Sequence, residues 1–266
     1  MRRISLLLLL AGFLGSHAEA DTLVAEPVKD NTLYEDAQGQ LSNGAGTYLF
    51  MGRTGGDKGV DRLLRRTLLS FDLSSIPPGS EIASAELSLT IDTVPLQAIA
   101  GVASVHRLHS DWGEGTSNAP GPEGQGTRAS PGDATWLHTF SDTALWTNAG
   151  GDFDANASQT APFGDVPQTL VFASSPGLLA DVSLWVDQPD SNFGWIVRGD
   201  EPVVQNARRF ISREYSNAQL RPRLTVEYTP FTPVEITRSV PATEPLGLIL
   251  LISLMLFISW SIERRR

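Results

Sequence analysis

The stretch LRRTLLSFDLSSIPPGSEIASAELSLTI, residues 64–91, decides the fold of this chain. In its second half, apolar and polar side chains alternate strictly. The apolar positions are Ala85, Leu87, Leu89 and Ile91, and the polar ones are Ser84, Glu86, Ser88 and Thr90. A period of two is typical of a β-strand with one buried face. The alternation therefore predicts a half-buried strand over residues 84–91.

The first half of the stretch predicts a second strand. Leu69, Phe71 and Leu73 stand two residues apart, and the turn sequence Ile76-Pro77-Pro78-Gly79 follows them. Proline cannot donate to a strand ladder, and glycine tolerates the backbone of a turn. We expect two strands joined by a connection that passes between sheets, which would begin an antiparallel β-sandwich.

Similar patterns continue along the chain to residue 228. Strands are predicted near residues 23–28, 47–53, 102–108, 168–172, 193–197, 209–214 and 224–228. One helix is predicted to start at Ser175-Pro176, which supply an N-cap and a first-turn proline, and to end before Pro189. The region 115–135 shows no periodicity, and a loop of that length is usually functional or disordered. We therefore expect one all-β domain over residues 21–231, with a short helix that closes one end of the sandwich.

The amino-terminal residues 1–20 have the pattern of a secretory signal peptide. Arg2 and Arg3 precede an apolar run over residues 4–14, and Ala18-Glu19-Ala20 has the small residues of a cleavage site. We expect the mature chain to begin near Asp21, and the domain to be exported through the inner membrane.

The carboxyl-terminal tail has three parts. A proline-containing spacer over residues 232–245 is followed by an uncharged run of 17 residues from 246 to 262, and the chain ends in Arg264-Arg265-Arg266. The run is just long enough to span a bilayer, and the arginines would remain on the cytoplasmic side. The tail resembles the PEP-CTERM and IPTL-CTERM sorting signals of Gram-negative bacteria, although it has Thr-Glu-Pro in place of Pro-Glu-Pro. That resemblance implies a sorting protease as a partner and release to the cell surface. The alternative is that residues 246–266 are a permanent membrane anchor.

Charge and composition exclude several classes of function. Residues 21–231 contain 14 basic and 26 acidic side chains, so the domain carries a formal charge of −12. Nucleic acid is therefore excluded as an expected partner, because binding to phosphates requires a basic surface. The chain has no cysteine, so it has no disulfides and no thiolate metal ligands.

Seven motifs occur together and in order, and they resemble one family. They are DNTLYED (30–36), SNGAG (42–46), LLSFDLSSIPPG (68–79), DWGEGTS (111–117), GGDFDA (150–155), SNFGWIVRGDE (191–201) and RFISREYSNAQLRPRLTVEY (209–228). The set resembles DNRLRE-type domains, a group similar to carbohydrate-binding module family 96 and to the repeat of archaeal disaggregatase. The resemblance implies a secreted jelly-roll sandwich, sometimes attached to enzymes that act on polysaccharides.

Aromatic residues near the long irregular region are the candidate ligand surface. Indole rings stack on the apolar faces of sugars, and carboxylates accept hydrogen bonds from hydroxyl groups. We expect a glycan site that contains Asp111, Trp112, Glu114, Trp136 and Trp146. The alternative is that these tryptophans fasten the long loop to the sandwich. Trp185 and Trp195 lie in regular elements and are expected in the core.

Acidic side chains suggest a structural calcium ion. Asp152 and Asp154 place oxygen groups at alternate positions, as loops that bind hard cations do. Asp30 and Asp36, near the start of the domain, are a second pair that could hold the ion. The alternative for Asp152 and Asp154 is capping of local turns. The sequence alone does not choose between them.

Catalytic signatures are weak. His106 and His109 point to opposite faces of a strand, so they are not expected to share a metal ion with Asp111. Asp111 and Glu114 have the residue types of a glycosidase pair, but nothing in the sequence defines their separation. Arg208, Arg209, Arg213, Arg221 and Arg223 are expected to pair with acids such as Glu214 and Glu227 across strands, the alternative being an anionic polysaccharide site.

These observations predict a non-catalytic module at the cell surface that binds polysaccharide. The first alternative is a structural or adhesive protein of the envelope or matrix that binds no glycan. The second is a polysaccharide lyase or hydrolase.

Overall fold

A computed structural model of the chain describes residues 19–55 and 62–231. Within them the protein consists mainly of antiparallel β-strands. They are β1 (Asp21–Ala25), β2 (Pro27–Tyr34), β3 (Leu41–Ser42), β4 (Tyr48–Arg53), β5 (Leu64–Phe71), β6 (Glu81–Thr93), β7 (Gly101–Arg107), β8 (Thr127–Arg128), β9 (His138–Phe140), β10 (Ala144–Leu145), β11 (Gln159–Phe163), β12 (Gln168–Phe172), β13 (Trp195–Arg198), β14 (Arg208–Ile211) and β15 (Arg223–Thr229).

One α-helix and two short 3-10 turns complete the described structure. Helix α1 spans Pro176–Asp187, and the turns span Pro189–Ser191 and Ala218–Leu220. The helix begins as the sequence predicts, because the Ser175 hydroxyl accepts a hydrogen bond from the Leu178 amide and Pro176 occupies the first turn. Among residues 19–55 and 62–231, no helix combines the length and the apolar character that a membrane crossing requires.

The predicted signal peptide, the proline-containing spacer and the carboxyl-terminal helix concern residues outside this description. Residues 1–18 and 232–266 are not described. The prediction of an all-β domain over residues 21–231 concerns described residues apart from 56–61, and the all-β character is confirmed.

Most strands belong to one curled antiparallel sheet with two halves. The first half contains β6 with its partners β15, β12 and β14, and β1 pairs with the outer edge of β15. The second half contains β5 with its partners β2 and β13, followed by β7 and β11. Strand β4 links the halves, because it pairs with both β14 and β5.

The organising pair of strands lies in different halves of the sheet. Strands β5 and β6 share no ladder with each other in the described structure, and the turn at residues 72–80 carries the chain from one half to the other. The prediction of a connection between separate sheets therefore holds only in part, because the connection joins two halves of one curled sheet. The alternation of β6 is also confirmed, since Ala85, Leu87, Leu89 and Ile91 are all buried.

The main core lies between the two halves. It contains the inward side chains of β6 and β15, those of β5, β7 and β13, and the apolar stripe of helix α1. Trp185 of the helix packs edge-on against Trp195 of β13, with ring centroids 4.5 Å apart. Both tryptophans are core residues, as predicted, and the helix covers part of the main core with one apolar face.

A second apolar cluster lies on the other side of β2, β5 and β13. Its members are Leu33, Leu64, Leu68, Leu108, Trp112, Ala134, Trp136, Trp146 and Ile196. As a result β5 is buried on both faces along its whole length, and Asp30 to Tyr34 of β2 are buried as well. The motif at 30–36 is therefore mostly strand, where the sequence predicted the approach to a turn.

The first testable prediction concerns the inward face of β6. Leu87→Ala removes a fully buried side chain between the halves of the sheet, and we expect it to lower the free energy of unfolding by about 3 kcal/mol. Urea denaturation of the purified chain measures this. Glu86→Gln, on the exposed face of the same strand, should change stability by less than about 0.5 kcal/mol. Equal effects of the two substitutions would contradict the assignment of faces.

Candidate functional site

The long irregular region is packed against the sheet. Asp133, Ala134 and Thr135 are completely buried, and Ala119 and Glu123 are almost so. The Asp133 carboxylate accepts hydrogen bonds from the backbone amides of Thr116 and Ser130, at 2.7 Å each. Buried carboxylates and amides that accept and donate in this way satisfy backbone groups that have no strand partner. Residues 115–135 are therefore anchored on the sheet by buried side chains, while parts of the segment, such as Pro120 and Gln125, remain exposed.

Asn31 of β2 is the centre of this packing. Its side-chain amide donates to the hydroxyl of Ser42 and to the backbone carbonyl of Glu114, both at 2.9 Å, and its carbonyl accepts from the Asn43 amide. Gly44 lies so close to Glu114 that a Cβ there would stand 1.6 Å from the Glu114 carbonyl oxygen. The loop that carries Glu114 is thus held directly on β2 and on the turn at 42–46.

The three candidate tryptophans are buried in the second apolar cluster. Trp112, Trp136 and Trp146 are only 1%, 8% and 5% exposed. The indole N–H of Trp112 donates to the Phe193 carbonyl at 2.8 Å, and that of Trp146 donates to the Thr135 carbonyl at 2.9 Å. The prediction that these indoles form a stacking surface for sugars is corrected by the structure. Their rings face the sheet because the outer faces of β2, β5 and β13 are apolar and need a cover.

The burial of Trp112 leads to the second testable prediction. Trp112→Ala deletes a large side chain from the second apolar cluster, and we expect it to lower the free energy of unfolding by about 3–5 kcal/mol. Trp112→Phe should cost about 1–2 kcal/mol, because the ring volume is largely kept while the Phe193 carbonyl loses its donor. Chemical denaturation measures both. A neutral result for Trp112→Ala would place this indole at the surface instead.

The acids of the proposed glycan site are both in ion pairs. The Lys29 ammonium nitrogen lies 2.5 Å from an Asp111 carboxylate oxygen, and a guanidinium nitrogen of Arg213 lies 3.0 Å from a Glu114 carboxylate oxygen. The Lys29 ammonium also lies 4.5 Å from the centre of the Trp112 ring. The five predicted glycan residues therefore fall into a buried aromatic group and an ion-paired acidic group, and they do not line one open cleft.

The four predicted calcium ligands are likewise separated. Asp36 accepts from the backbone amides of Gln38 and Gln40, and Asp152 accepts from those of Thr147 and Asn148. Hydrogen bonds from Thr147 and Asn148 outweigh burial and lower the pKa of Asp152. The Asp152 contacts are the turn cap that the sequence offered as the alternative for Asp152 and Asp154, and the Asp36 contacts are of the same kind. Asp154 instead pairs with the Arg107 guanidinium and contacts His109 Nε2, both at 2.9 Å. Of the four, Asp30 belongs to a cluster of three carboxylates.

Asp30 belongs to an acidic cluster with Glu114 and Glu214. One carboxylate oxygen from each residue lies within 4.8 Å of the other two. Arg213 lies beside them, and its guanidinium donates to Glu114 and to Glu214 at 3.0–3.1 Å. Its backbone amide donates to Asp30 Oδ2 at 2.8 Å. Strand β2, the 111–117 loop and the segment after β14 are therefore joined at one point.

Burial dominates the electrostatics of this cluster. Desolvation raises the pKa of Asp30 well above its usual range, and the neighbouring charge of Glu214 raises it further. Burial also raises the pKa of Glu214, and the nearby Glu114 adds to the effect. The cluster is therefore an electrostatically unfavourable arrangement that Arg213 offsets only in part. Sequence reasoning identified Asp30 here but assigned Glu114 to a sugar and Glu214 to a cross-strand pair.

The arginines of the carboxyl-terminal strands form ion pairs, but with few of the expected partners. Arg209 pairs with Asp92 at 2.8 Å, and Arg221 pairs with Glu26 at 3.0 Å. The Arg208 guanidinium is buried and donates to the backbone carbonyls of Gly164 and Ile99. Only Arg213 pairs with a predicted acid, Glu214, since Glu227 accepts instead from the Ser84 hydroxyl. The predicted pairing across strands is confirmed only for Arg209, whose partner Asp92 lies in β6, because the ion pairs of Arg213 and Arg221 lie outside the strands.

The two strand histidines occupy separate environments. His106 is buried beneath the Phe153 ring and contacts the Ser104 hydroxyl and the Asp154 carbonyl. His109 is half-exposed and contacts the Asp154 carboxylate. Both histidines thus contact the same residue, Asp154, while Asp111 pairs with Lys29.

A second ionic group ties the second apolar cluster to the sheet. Both oxygens of Glu201 are held by two arginines, with Arg66 at 2.7 and 3.0 Å and Arg198 at 3.1 and 2.6 Å. Arg66 also donates to the Gly150 carbonyl, and its guanidinium lies 4.8 Å from the centre of the Trp136 ring. Burial raises the pKa of Glu201, but the hydrogen bonds from Arg198 and Arg66 outweigh it and lower the pKa to about 2.

Glu201 provides the third testable prediction, on acid stability. Its pKa in the folded chain lies below the ordinary value of 4.5, so its stabilisation is complete above pH 4.5 and is lost as the pH falls toward about 2. We expect a contribution of about 2 kcal/mol after allowance for solvent screening. Urea denaturation from pH 6 to 2 should therefore show a steeper loss for the native chain than for Glu201→Gln. Parallel pH profiles would contradict the prediction, and Glu86→Gln serves as the control.

Two surface cavities are candidates for ligand contact. One of about 520 Å³ lies between the 72–78 turn and the end of α1, and has an apolar floor that includes Phe71 and Trp185. The other, of about 430 Å³, is lined by Thr54, Gly55, Pro95, Leu96, Ala98, Gln125, Gln205 and Ala207. We call the second the amide-lined cavity. Among the described residues that line it, none is charged, although the domain carries a formal charge of −12.

The backbone around the amide-lined cavity is unusual. Gln97 and Gln205 both have φ of 62°, the left-handed region that non-glycine residues rarely adopt. The Gln205 carbonyl accepts a hydrogen bond from the Ile99 amide at 2.9 Å, which fixes the two segments together. Leu96, which precedes Gln97, is 96% exposed. Strained backbone of this kind is concentrated at functional sites.

Comparison with known proteins adds no assignment. No family model matches the sequence, and no curated protein is detectably similar to it.

Proposed function

We propose that this chain is a secreted, non-catalytic module that binds polysaccharide through the amide-lined cavity. The observation that carries the proposal is the cavity itself, a depression on the β-fold whose described lining residues are uncharged and include two glutamine amides and an exposed leucine. Amides donate to and accept from sugar hydroxyls, while Leu96 and Pro95 offer apolar contact to the C–H face of a ring. A neutral glycan suits this cavity better than an anionic one.

The proposal includes the finer fold and the location of the protein. We propose that the curled antiparallel sheet is a jelly-roll of the DNRLRE type, which the order of the seven motifs supports. We also propose export by residues 1–20 and attachment to or sorting at the membrane by residues 246–266. The domain would then meet glycans at the cell surface or in the surrounding matrix.

A non-catalytic role agrees with the state of the acids considered for hydrolysis. Asp111 and Glu114 are each in an ion pair, and the Asp30 side chain near Glu114 is only 1% exposed. A glycosidase needs two carboxyl groups that reach opposite sides of a sugar. A buried side chain cannot contact such a substrate.

Glycan binding is the fourth testable prediction. Affinity electrophoresis of the purified chain should show retardation by at least one neutral polysaccharide, with weaker retardation by acidic ones, since the domain is acidic. Gln125→Ala removes one amide from the cavity, and we expect it to weaken binding by about 5- to 20-fold. Gln205→Gly removes the second amide and relaxes its backbone, so it should weaken binding without loss of stability.

The matched control is Gln219→Ala, which removes an exposed amide on a 3-10 turn outside the cavity. It should leave retardation unchanged. Equal retardation of all variants would reject the amide-lined cavity as the site. Failure of every glycan to retard the native chain would favour the structural or adhesive alternative.

A further inference from the structure

The acidic cluster of Asp30, Glu114 and Glu214 is incompletely satisfied in two ways. Within residues 19–55 and 62–231, Arg213 is the only cationic side chain in hydrogen-bond contact with its carboxylates. Lys29, which precedes Asp30 in β2, is bound to Asp111 and to the Trp112 carbonyl. When all three acids are ionised, the cluster therefore carries two more negative charges than Arg213 neutralises.

The second deficiency concerns individual oxygen atoms. Asp30 is 1% exposed, and its Oδ1 atom has no hydrogen-bond partner. Glu214 Oε2 is also buried and has no partner. A buried carboxylate oxygen without a donor is strongly unfavourable, and buried polar atoms in native proteins are nearly always satisfied. Both atoms belong to carboxylates of one cluster, so a single bound group there would satisfy them together.

We propose that Asp30, Glu114 and Glu214 bind one divalent cation of the calcium type. Three oxygens that lie within 4.8 Å of one another all stand within about 2.8 Å of a common centre, which is a few tenths of an ångström beyond the usual Ca²⁺–oxygen distance of about 2.4 Å. The 2+ charge of the ion would neutralise the two negative charges that remain after Arg213 offsets one of the three carboxylates. Asp30 supplies Oδ1 from the buried side, and Glu214 supplies Oε2. Glu114 adds a third carboxylate from the loop.

The donor set selects the class of metal. All three ligands are carboxylate oxygens, which suit hard cations and do not favour zinc or copper. Mg²⁺ retains several waters in near-octahedral geometry, whereas Ca²⁺ accepts irregular and bidentate carboxylate ligands. Asp30 is only 1% exposed, so an ion bound there would lose water on that side, which favours Ca²⁺ over Mg²⁺. Glu114 and Glu214 are about a quarter exposed, which gives the ion a route of entry.

Such an ion would have a structural role. Asp30 lies in β2, Glu114 lies in the loop that leads to the buried region 115–135, and Glu214 follows β14. An ion bound to all three would fasten the loop to both halves of the curled sheet. This role is separate from glycan binding, because none of the three side chains lines the amide-lined cavity.

The test compares calcium with its absence in the same purified full-length chain. After dialysis against EDTA, isothermal titration with CaCl₂ should show one site per chain, and MgCl₂ should bind at least about 10-fold more weakly. Calcium at about 100 times its Kd should raise Tm by about 5–10 °C, because an ion that binds only the folded state stabilises it by mass action. This is the fifth testable prediction.

Asp30→Asn separates an ion from simple protonation of the cluster. In EDTA the variant should melt at a higher temperature than the native chain, because a buried charge has been removed. In saturating calcium the order should reverse, because the native chain alone gains the full stabilisation. Glu214→Gln should also lose the calcium response. Glu86→Gln, which removes an exposed carboxylate of β6, should retain it.

The proposal is overturned if CaCl₂ at millimolar concentration produces neither heat nor a shift in Tm for the native chain. It is overturned equally if Asp30→Asn and Glu214→Gln respond to calcium as the native chain does, since the ion would then bind elsewhere. In that case the acidic cluster is neutralised by protons. Loss of glycan retardation with an intact calcium response would concern only the proposed function.

Discussion

The burial of β5 and its neighbours on both faces is the constraint from which the rest of this structure follows. A strand in a two-layered β-fold normally has one face on the core and one in solvent. Here the second face of β2, β5 and β13 carries Leu33, Leu68 and Ile196, and it requires an apolar cover. The long segments between β7 and β11 supply that cover, so their tryptophans point inward.

This double burial explains the unusual polar interior. Arg66 of β5 faces the second apolar cluster. A guanidinium buried among apolar side chains needs a protein group as its partner, because little water reaches it. Glu201 provides this partner together with Arg198. The irregular backbone of the cover forms only the short ladders β3–β8 and β9–β10, and Asn31 and Asp133 satisfy other amides and carbonyls from within. Buried polar groups thus hold the cover in one arrangement.

The acidic cluster arises at the border of this cover. Asp30 is buried because β2 is covered on its outer face, Glu114 arrives with the covering loop, and Glu214 arrives with the strand of the opposite half. The three acids meet where three segments from distant parts of the sequence are packed together. The amide-lined cavity lies apart from this junction, and so binding to a ligand and stabilisation of the cover are separable.

The sequence by itself determined most of the long strands and the helix, because alternation and helix caps are local properties of the residues, but it did not indicate β11 or the buried part of β2. The period of two in β6 and the Ser175-Pro176 start of α1 needed no distant contacts to be recognised. Composition likewise argued against nucleic acid as a partner. Only the tertiary structure decided which way Trp112, Trp136 and Trp146 face, because an aromatic side chain in an irregular segment has no period to indicate its environment. The meeting of Asp30 with Glu114 and Glu214 was also beyond the sequence, since residues 84 and 184 positions away from Asp30 become its neighbours only when the cover closes over the sheet.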